Sequence, residues 1–452
     1  MVQKSILIGF VIFTAIFFCF YPGNTSIVDE TAYLSMAYAF QYKKLYYDQV
    51  GIYSAPASMR VNNHLVSRYP PGNSILLLPF IKPDWKIAFL RGYLLMLSGF
   101  ILLTVLLSHY RIPLYYSLLF LFHPSFALYS RTIMSDLPAT IFCLAGLLPF
   151  IKKKYFIAGI IFGISLTIRY PLLLIPFSLF FILFVKKEFF NSIEFLIGGI
   201  IGLIPLLIYH ISVFNTITGP TSANLIGFSV ENLPSMFVKF FLAINILYPL
   251  MFLVSFKTTL KEKWYFIFPS LIFLIFFSLQ YYIDTGKNFF ETLVRSQRYL
   301  LPIIPFLIIP YAEVLGRIRF FNKILPAFII ALIFLNIIIH HKHQKFLIKQ
   351  TYYQNKLYEY TKDAHIIVCN KDVYELINPF IKSMKWEPFE SKGKLIKVHK
   401  FDYDKKVYFV CLSREENIKN IFYELLNNIG ATKEIYEEKD PYYFSIYLIK
   451  NK

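Results

Sequence analysis

Residues 193–213 read IEFLIGGIIGLIPLLIYHISV, with one acidic side chain and neither Lys nor Arg. The hydrocarbon core of a bilayer is about 30 Å thick and takes roughly 20 residues of apolar helix, so this stretch suits a membrane span. The pattern recurs outward from it. Apolar runs at 5–21, 86–108, 113–129, 137–151, 155–169, 171–185, 236–255, 264–282, 299–315 and 324–340 raise the expectation to about eleven transmembrane helices.

Composition supports the same class. Of 452 residues, 56% are hydrophobic and 16% charged, against about a quarter charged in a soluble domain. Such a chain cannot cover itself with polar surface, which excludes a soluble enzyme. The 49 Phe and 34 Tyr suit lipid-facing helices and the aromatic belts at membrane interfaces. A formal charge of +19 invites a nucleic-acid reading. The Lys and Arg, however, lie in short clusters between apolar runs and in the last hundred residues, so topology accounts for them and no nucleic acid is expected. The four cysteines show no CxxC pair or metal-site spacing; Cys369 and Cys411 are the one pair a folded tail can unite, with the unpaired state preferred. The first run follows Lys4 and ends in Phe18-Cys19-Phe20-Tyr21-Pro22 without a small-x-small cleavage site, so it reads as an uncleaved helix.

Orientation follows from the basic residues of alternate loops. Lys152 to Lys154, Lys186 and Lys187, Lys257 with Lys261 and Lys263, and Arg317 with Arg319 and Lys323 share the face of the N-terminus, which is expected to be cytoplasmic at the cell membrane. The extracytoplasmic face then receives the loop 22–85, the turn at 131–136, the loops 214–235 and 283–298, and the tail. From His341 onward, strand-like runs (365–369, 394–398, 406–412, 442–449) alternate with helical ones (371–383, 414–429). The expected architecture is an all-α polytopic membrane bundle over 1–340 and a small extracytoplasmic α/β domain over 341–452. The tail carries no catalytic signature, so a capping role is preferred there over acceptor docking.

Four polar elements stand out on the outer face. Asp29-Glu30 with Tyr33 follows the first span; a half-desolvated carboxylate there serves as a general base, or the acids cap a helix. Ser67-Arg68-Tyr69-Pro70-Pro71-Gly72-Asn73 fixes a turn, presenting Arg68 and Tyr69 to a phosphate or sugar or anchoring them at the interface. Ser130-Arg131 leads into Asp136-Leu137-Pro138, where Asp136 either joins Asp29 in binding a divalent cation or dividing acid and base roles, or caps the next helix. Arg295 and Arg298-Tyr299 introduce a span as a phosphate clamp, with Arg169 as partner, or as snorkelling anchors. The cluster His340-His341-Lys342-His343 reads as an interfacial edge, since the acidic partners of a metal site are missing nearby.

These elements, in this order and with Arg91 in the second span, resemble the membrane glycosyltransferases of the C superfold (GT-C), which include protein O-mannosyltransferases and the aminoarabinose transferase of lipid A. The resemblance covers about residues 1–340. It implies transfer of a sugar from a polyprenyl-phosphate carrier to an extracytoplasmic protein, lipid or glycan acceptor. Asp29 would be the base, Asp136 a second catalytic acid, and Arg298 with Arg169 and Arg295 the holders of the carrier phosphate. Glu30, Tyr33, Arg68, Tyr69, Arg131 and Tyr299 would line the substrate site. Some members carry an acid and a lysine before the Pro-Pro pair where this chain has Arg68 and Tyr69, so no metal is assigned. A transporter or flippase of a lipid-linked glycan is the alternative, and a scaffold displaying the tail a third reading. A transporter would place ionisable residues near mid-membrane, whereas these fall at outer helix ends.

Overall fold

The computed structural model describes residues 2–52, 57–220, 227–280, 289–374, 376, 378–381, 385–391, 394–395, 406–413, 415–429, 432–439 and 442–449. Parts of the expected loops 214–235 and 283–298, of the helical run 371–383 and of the strand 394–398 lie outside these residues. In chain order the principal helices are α1 (Val2–Cys19), α2 (Val28–Gln41), α3 (Leu90–His109), α4 (Asp136–Ile151), α5 (Tyr155–Ser165), α6 (Leu174–Val185), α7 (Phe189–Phe214), α8 (Leu233–Leu247), α9 (Trp264–Ser278), α10 (Ile304–Arg317), α11 (Arg319–Tyr360) and α12 (Glu416–Ile429). The chain divides into two compact units: Met1–Tyr21, Pro70–Asn73 and Ile87–His343 form the first; Pro22–Tyr69, Ser74–Lys86 and Gln344–Lys452 form the second.

Among the described residues of the first unit and the long helix α11, the segments Trp85–His109, Phe189–Phe214, Val230–Leu247, Glu291–Arg317 and Arg319–Tyr360 are long and apolar enough to cross a membrane. Other apolar helices, including α1, α4, α5 and α9, are shorter. Two of the expected spans are interrupted where proline excludes the preceding residue from helical geometry. In the run 113–129, His123 before Pro124 is extended (φ −66°, ψ 125°). In the run 236–255, Tyr248 before Pro249 is extended (φ −122°, ψ 112°), and Leu250 follows in the left-handed region at φ 56°.

The pairing of α5 with α7 is built on glycine. Gly159 and Gly163 of α5 and Gly198 and Gly202 of α7 are each four residues apart, one helical turn, so each pair lies on one face. A Cβ placed on Gly163 would meet the Gly199 carbonyl oxygen at 2.3 Å, and one on Gly202 the Ile160 carbonyl oxygen at 2.1 Å. Lipid supplies no hydrophobic drive between helices, so association depends on such close backbone approach. Gly163→Leu is expected to destabilise the unit by about 1–3 kcal/mol, seen as a lower thermal midpoint of the detergent-solubilised protein. An unchanged midpoint would remove the glycine contact as the source of packing.

The second unit contains the hairpin β1 (Ser58–Val61) and β2 (His64–Ser67), closed by Asn62 and Asn63 at φ 49° and 66°. Two left-handed residues in a two-residue loop match strand twist, and asparagine tolerates them. The tail adds β3 (Ile366–Cys369), β4 (Lys385–Pro388), β5 (Val407–Ser413), β6 (Thr432–Glu438) and β7 (Tyr443–Ile449) in the sheet order β4-β3-β5-β7-β6. β3 runs parallel to β4 and β5, whereas β7 is antiparallel to β5 and β6. Alternation sends Ile367, Cys369, Val410 and Leu412 to one face with Tyr353 and Leu357 of α11. It sends Ile366, Val368, Phe409 and Cys411 to the other with Ile421, Phe422 and Leu425 of α12. No disulfide joins any of the four cysteines. The segment after α1 packs with the tail: the Asn24 side-chain amide donates to Thr351 Oγ1 at 3.3 Å and Gln354 Oε1 at 3.1 Å, and Tyr38 meets Phe380 edge-on at 5.1 Å.

Candidate functional site

The two adjacent acids that follow α1 separate as soon as α2 begins. Glu30 occupies the third helical position, from which a side chain reaches back over the helix start. Its Oε1 accepts from Ser26 N and Ser26 Oγ at 2.8 Å each and from Ile27 N at 3.1 Å. Glu30 is buried and caps its own helix. Asp29 turns elsewhere: its Oδ1 accepts from the Tyr69 hydroxyl at 2.7 Å. Arg68 Nη2 donates to the same hydroxyl oxygen at 3.1 Å, and the Tyr33 ring stacks on Tyr69 at 5.0 Å. Burial and the neighbouring carboxylate hold the Tyr69 phenol well above its ordinary pKa, so it keeps its proton and donates. The hairpin sets this geometry, because Ser67 at the end of β2 accepts from Tyr69 N through Oγ at 3.0 Å.

In the first unit, the turn Pro70 to Asn73 is fastened at its last two residues. Gly72 N donates to the Thr167 carbonyl at 2.6 Å, an approach that leaves no room for a side chain: a Cβ on Gly72 would stand 2.3 Å from Thr167 Oγ1. Asn73 Nδ2 donates to the Ile133 carbonyl at 3.0 Å. Arg91 joins the two strands of this lock, donating to Asn73 Oδ1 and, at 3.2 Å, to the Met134 carbonyl. The segments tied together are those that carry Asp136 and Arg169, two or three residues beyond the anchors.

Asp136 opens α4, yet its side chain does not cap it. Fully buried, its Oδ1 pairs with Arg169 and its Oδ2 accepts from Arg298 Nε at 3.3 Å. Both arginine side chains are only 11% exposed, and both guanidiniums lie near one ring: Arg169 is 5.0 Å and Arg298 5.5 Å from the centroid of Tyr299. Phe277 stacks on Tyr299 at 5.1 Å and also faces Arg169 at 5.8 Å. Two guanidiniums thus share one carboxylate beside an aromatic ring, and each guanidinium is a planar fork of donors. Such a cluster is chemically suited to a phosphate.

The remaining candidates fall elsewhere. Arg131 is fully buried and donates to the carbonyls of His340 at 3.0 Å and Phe20 at 2.7 Å, with His343 Nδ1 at 3.0 Å. It ties the end of α1 to α11. Arg295 is exposed; its carbonyl accepts from Tyr129 at 3.2 Å. Sequence reasoning overlooked Phe277, which lies in a run indistinguishable from lipid-facing helix, and the part played by Gly72 and Asn73. A metal fits this donor set poorly, since both Asp136 oxygens are engaged by arginine. Among the described residues no three His, Cys, Asp or Glu side chains gather.

No protein-family model matches the chain, and no curated protein sequence matches it. Solved structures do. The crystal structure of ArnT from Cupriavidus metallidurans in the apo state aligns with a TM-score of 0.66 at 10% identity, covering 99% of this chain and 98% of that one. ArnT from the same organism bound to undecaprenyl phosphate aligns with a TM-score of 0.62 at 11% identity over 99% and 97%. The chain shares the fold of these ArnT structures, mostly helical with a small C-terminal sheet.

Proposed function

We propose that this protein is a membrane glycosyltransferase that moves a sugar from a polyprenyl-phosphate carrier to an acceptor on the extracytoplasmic face. The observation that carries the reading is the buried Arg169–Asp136–Arg298 cluster against Tyr299, built on a fold whose ArnT example binds undecaprenyl phosphate. The two arginines hold the carrier phosphate and stabilise the charge that grows on it as the glycosidic bond breaks. Asp136 spaces them. Asp29, oriented by Tyr69, is the general base.

In the reaction, the acceptor oxygen attacks the anomeric carbon, its proton passes to Asp29, and the carbon–oxygen bond to phosphate breaks with its electron pair on the phosphate. Direct displacement inverts the anomeric centre and needs no covalent enzyme intermediate. Asp29 and Glu30 are thereby given different tasks, base and cap. Arg68 serves by fixing the Tyr69 hydroxyl.

The test is a panel of polyprenyl-phosphate sugars presented to the purified protein in lipid, scored by release of free lipid phosphate. At least one donor is expected to be consumed in an acceptor-dependent manner. Passage of a lipid-linked glycan across sealed vesicles without release of phosphate would replace this reading with transport.

A further inference from the structure

We infer that the C-terminal α/β domain carries a binding pocket for a single sugar ring at the carboxyl ends of its parallel strands. β3 is the first strand of its sheet, the next strand β4 lies on one side of it, and β5 lies on the other. The chain thus reverses direction across the sheet at β3, and in open α/β sheets ligands bind in the crevice outside the strand ends at such a point. Asn370, directly after β3, spans the gap: its Nδ2 donates to the Leu412 carbonyl at 2.9 Å and its Oδ1 accepts from Leu412 N at 3.0 Å.

A cavity of about 180 Å³ opens at this position. Leu412 closes it from β5, Asp372 from the turn after β3, and Tyr442 from the residue before β7. Phe346, Lys349, Gln350 and Tyr353 of α11 complete it from one helical face. The volume falls short of the ~300–1,000 Å³ usual for drug-sized ligands, so it suits one ring. Lys349 Nζ stands 5.9 Å from the Tyr442 ring centroid, which places a cation beside an aromatic platform.

The chemistry of the lining selects a sugar. An aromatic face packs against the C–H side of a pyranose, while neighbouring hydroxyls donate to the Asp372 carboxylate and accept from the Lys349 ammonium and the Gln350 amide. A nucleotide phosphate is disfavoured: the turn after β3 is Asn370-Lys371-Asp372-Val373, with no glycine to admit a phosphate and a carboxylate to repel it. That the sugar belongs to the acceptor rests on the transferase reading; its binding does not.

The experiment is saturation-transfer NMR on the full chain in lipid nanodiscs free of glycoside detergent, using methyl pyranosides of glucose, mannose, galactose, N-acetylglucosamine and glucuronic acid. At least one is expected to receive saturation. Its binding should weaken about tenfold in Asp372→Asn and in Tyr442→Ala and persist in Tyr442→Phe, which keeps the ring. Asp372 is exposed, so its replacement does not threaten the fold. Silence from every sugar, or undiminished binding in Asp372→Asn, overturns the pocket. Lipid-phosphate release is read separately. Sugar binding without release leaves the pocket standing and removes the transferase, and release without sugar binding removes the pocket alone.

Discussion

Asp29→Asn is expected to lower sugar transfer by about 10²–10⁴-fold, the usual contribution of a positioned general base, with membrane insertion and abundance unchanged. The amide matches the carboxylate in shape and still offers an oxygen to the Tyr69 hydroxyl, which now donates at 2.7 Å. Geometry therefore survives and basicity alone is lost. The start of α2 is capped by Glu30, a cap that the Asp29 substitution leaves in place. Glu30→Gln makes the contrast: weakening one cap costs about 0.5–2 kcal/mol of stability and should leave the chemical step largely intact. Rates of lipid-phosphate release by the purified variants, at matched protein amounts, decide the matter. Full activity in Asp29→Asn would take Asp29 out of the mechanism.

The separate partners of Asp29 and Glu30 show how far the residues alone could be read. A pair of acids before an amphipathic stretch is visible in the sequence, and both a cap and a base were legible there. That Glu30 is the cap depends on the helix starting at Val28, and the residue at the cap position is Ile27 rather than the Ser, Thr, Asp or Asn that normally marks a helix start. The apolar runs were legible because bilayer thickness imposes their length. Their interruptions before Pro124 and Pro249 follow from proline sterics, but a window of about 20 residues averages over them. The glycines of α5 and α7 went unread for a similar reason: they do not disturb hydropathy, only the distance of approach. Asp136 stood out in the sequence, but its ion pairs were beyond local reading. Its arginine partners lie 33 and 162 residues away in sequence, and periodicity carries no information about such pairings.

That long-range cluster supports the second large effect. Arg298→Ala is expected to weaken apparent affinity for the lipid donor about 10–100-fold, the worth of one or two charge-assisted hydrogen bonds to a phosphate, with much less effect on the acceptor. Arg298→Lys should recover only part of the loss, because an ammonium keeps the charge but lacks the planar fork and the stacking on Tyr299. Asp136→Asn tests the other side of the arrangement. Removing the anion deprives Arg169 and Arg298 of the carboxylate they share, and breaking a buried pair in this way costs about 3–5 kcal/mol, read as a fall in thermal midpoint. The two outcomes separate a working clamp from an inert ion-pair network. In a clamp, Arg298→Ala raises the donor KM while Arg169 still neutralises Asp136 and the midpoint moves little. In a structural network the midpoint falls and the donor KM stays where it was, and the assignment of the carrier phosphate to these arginines ends.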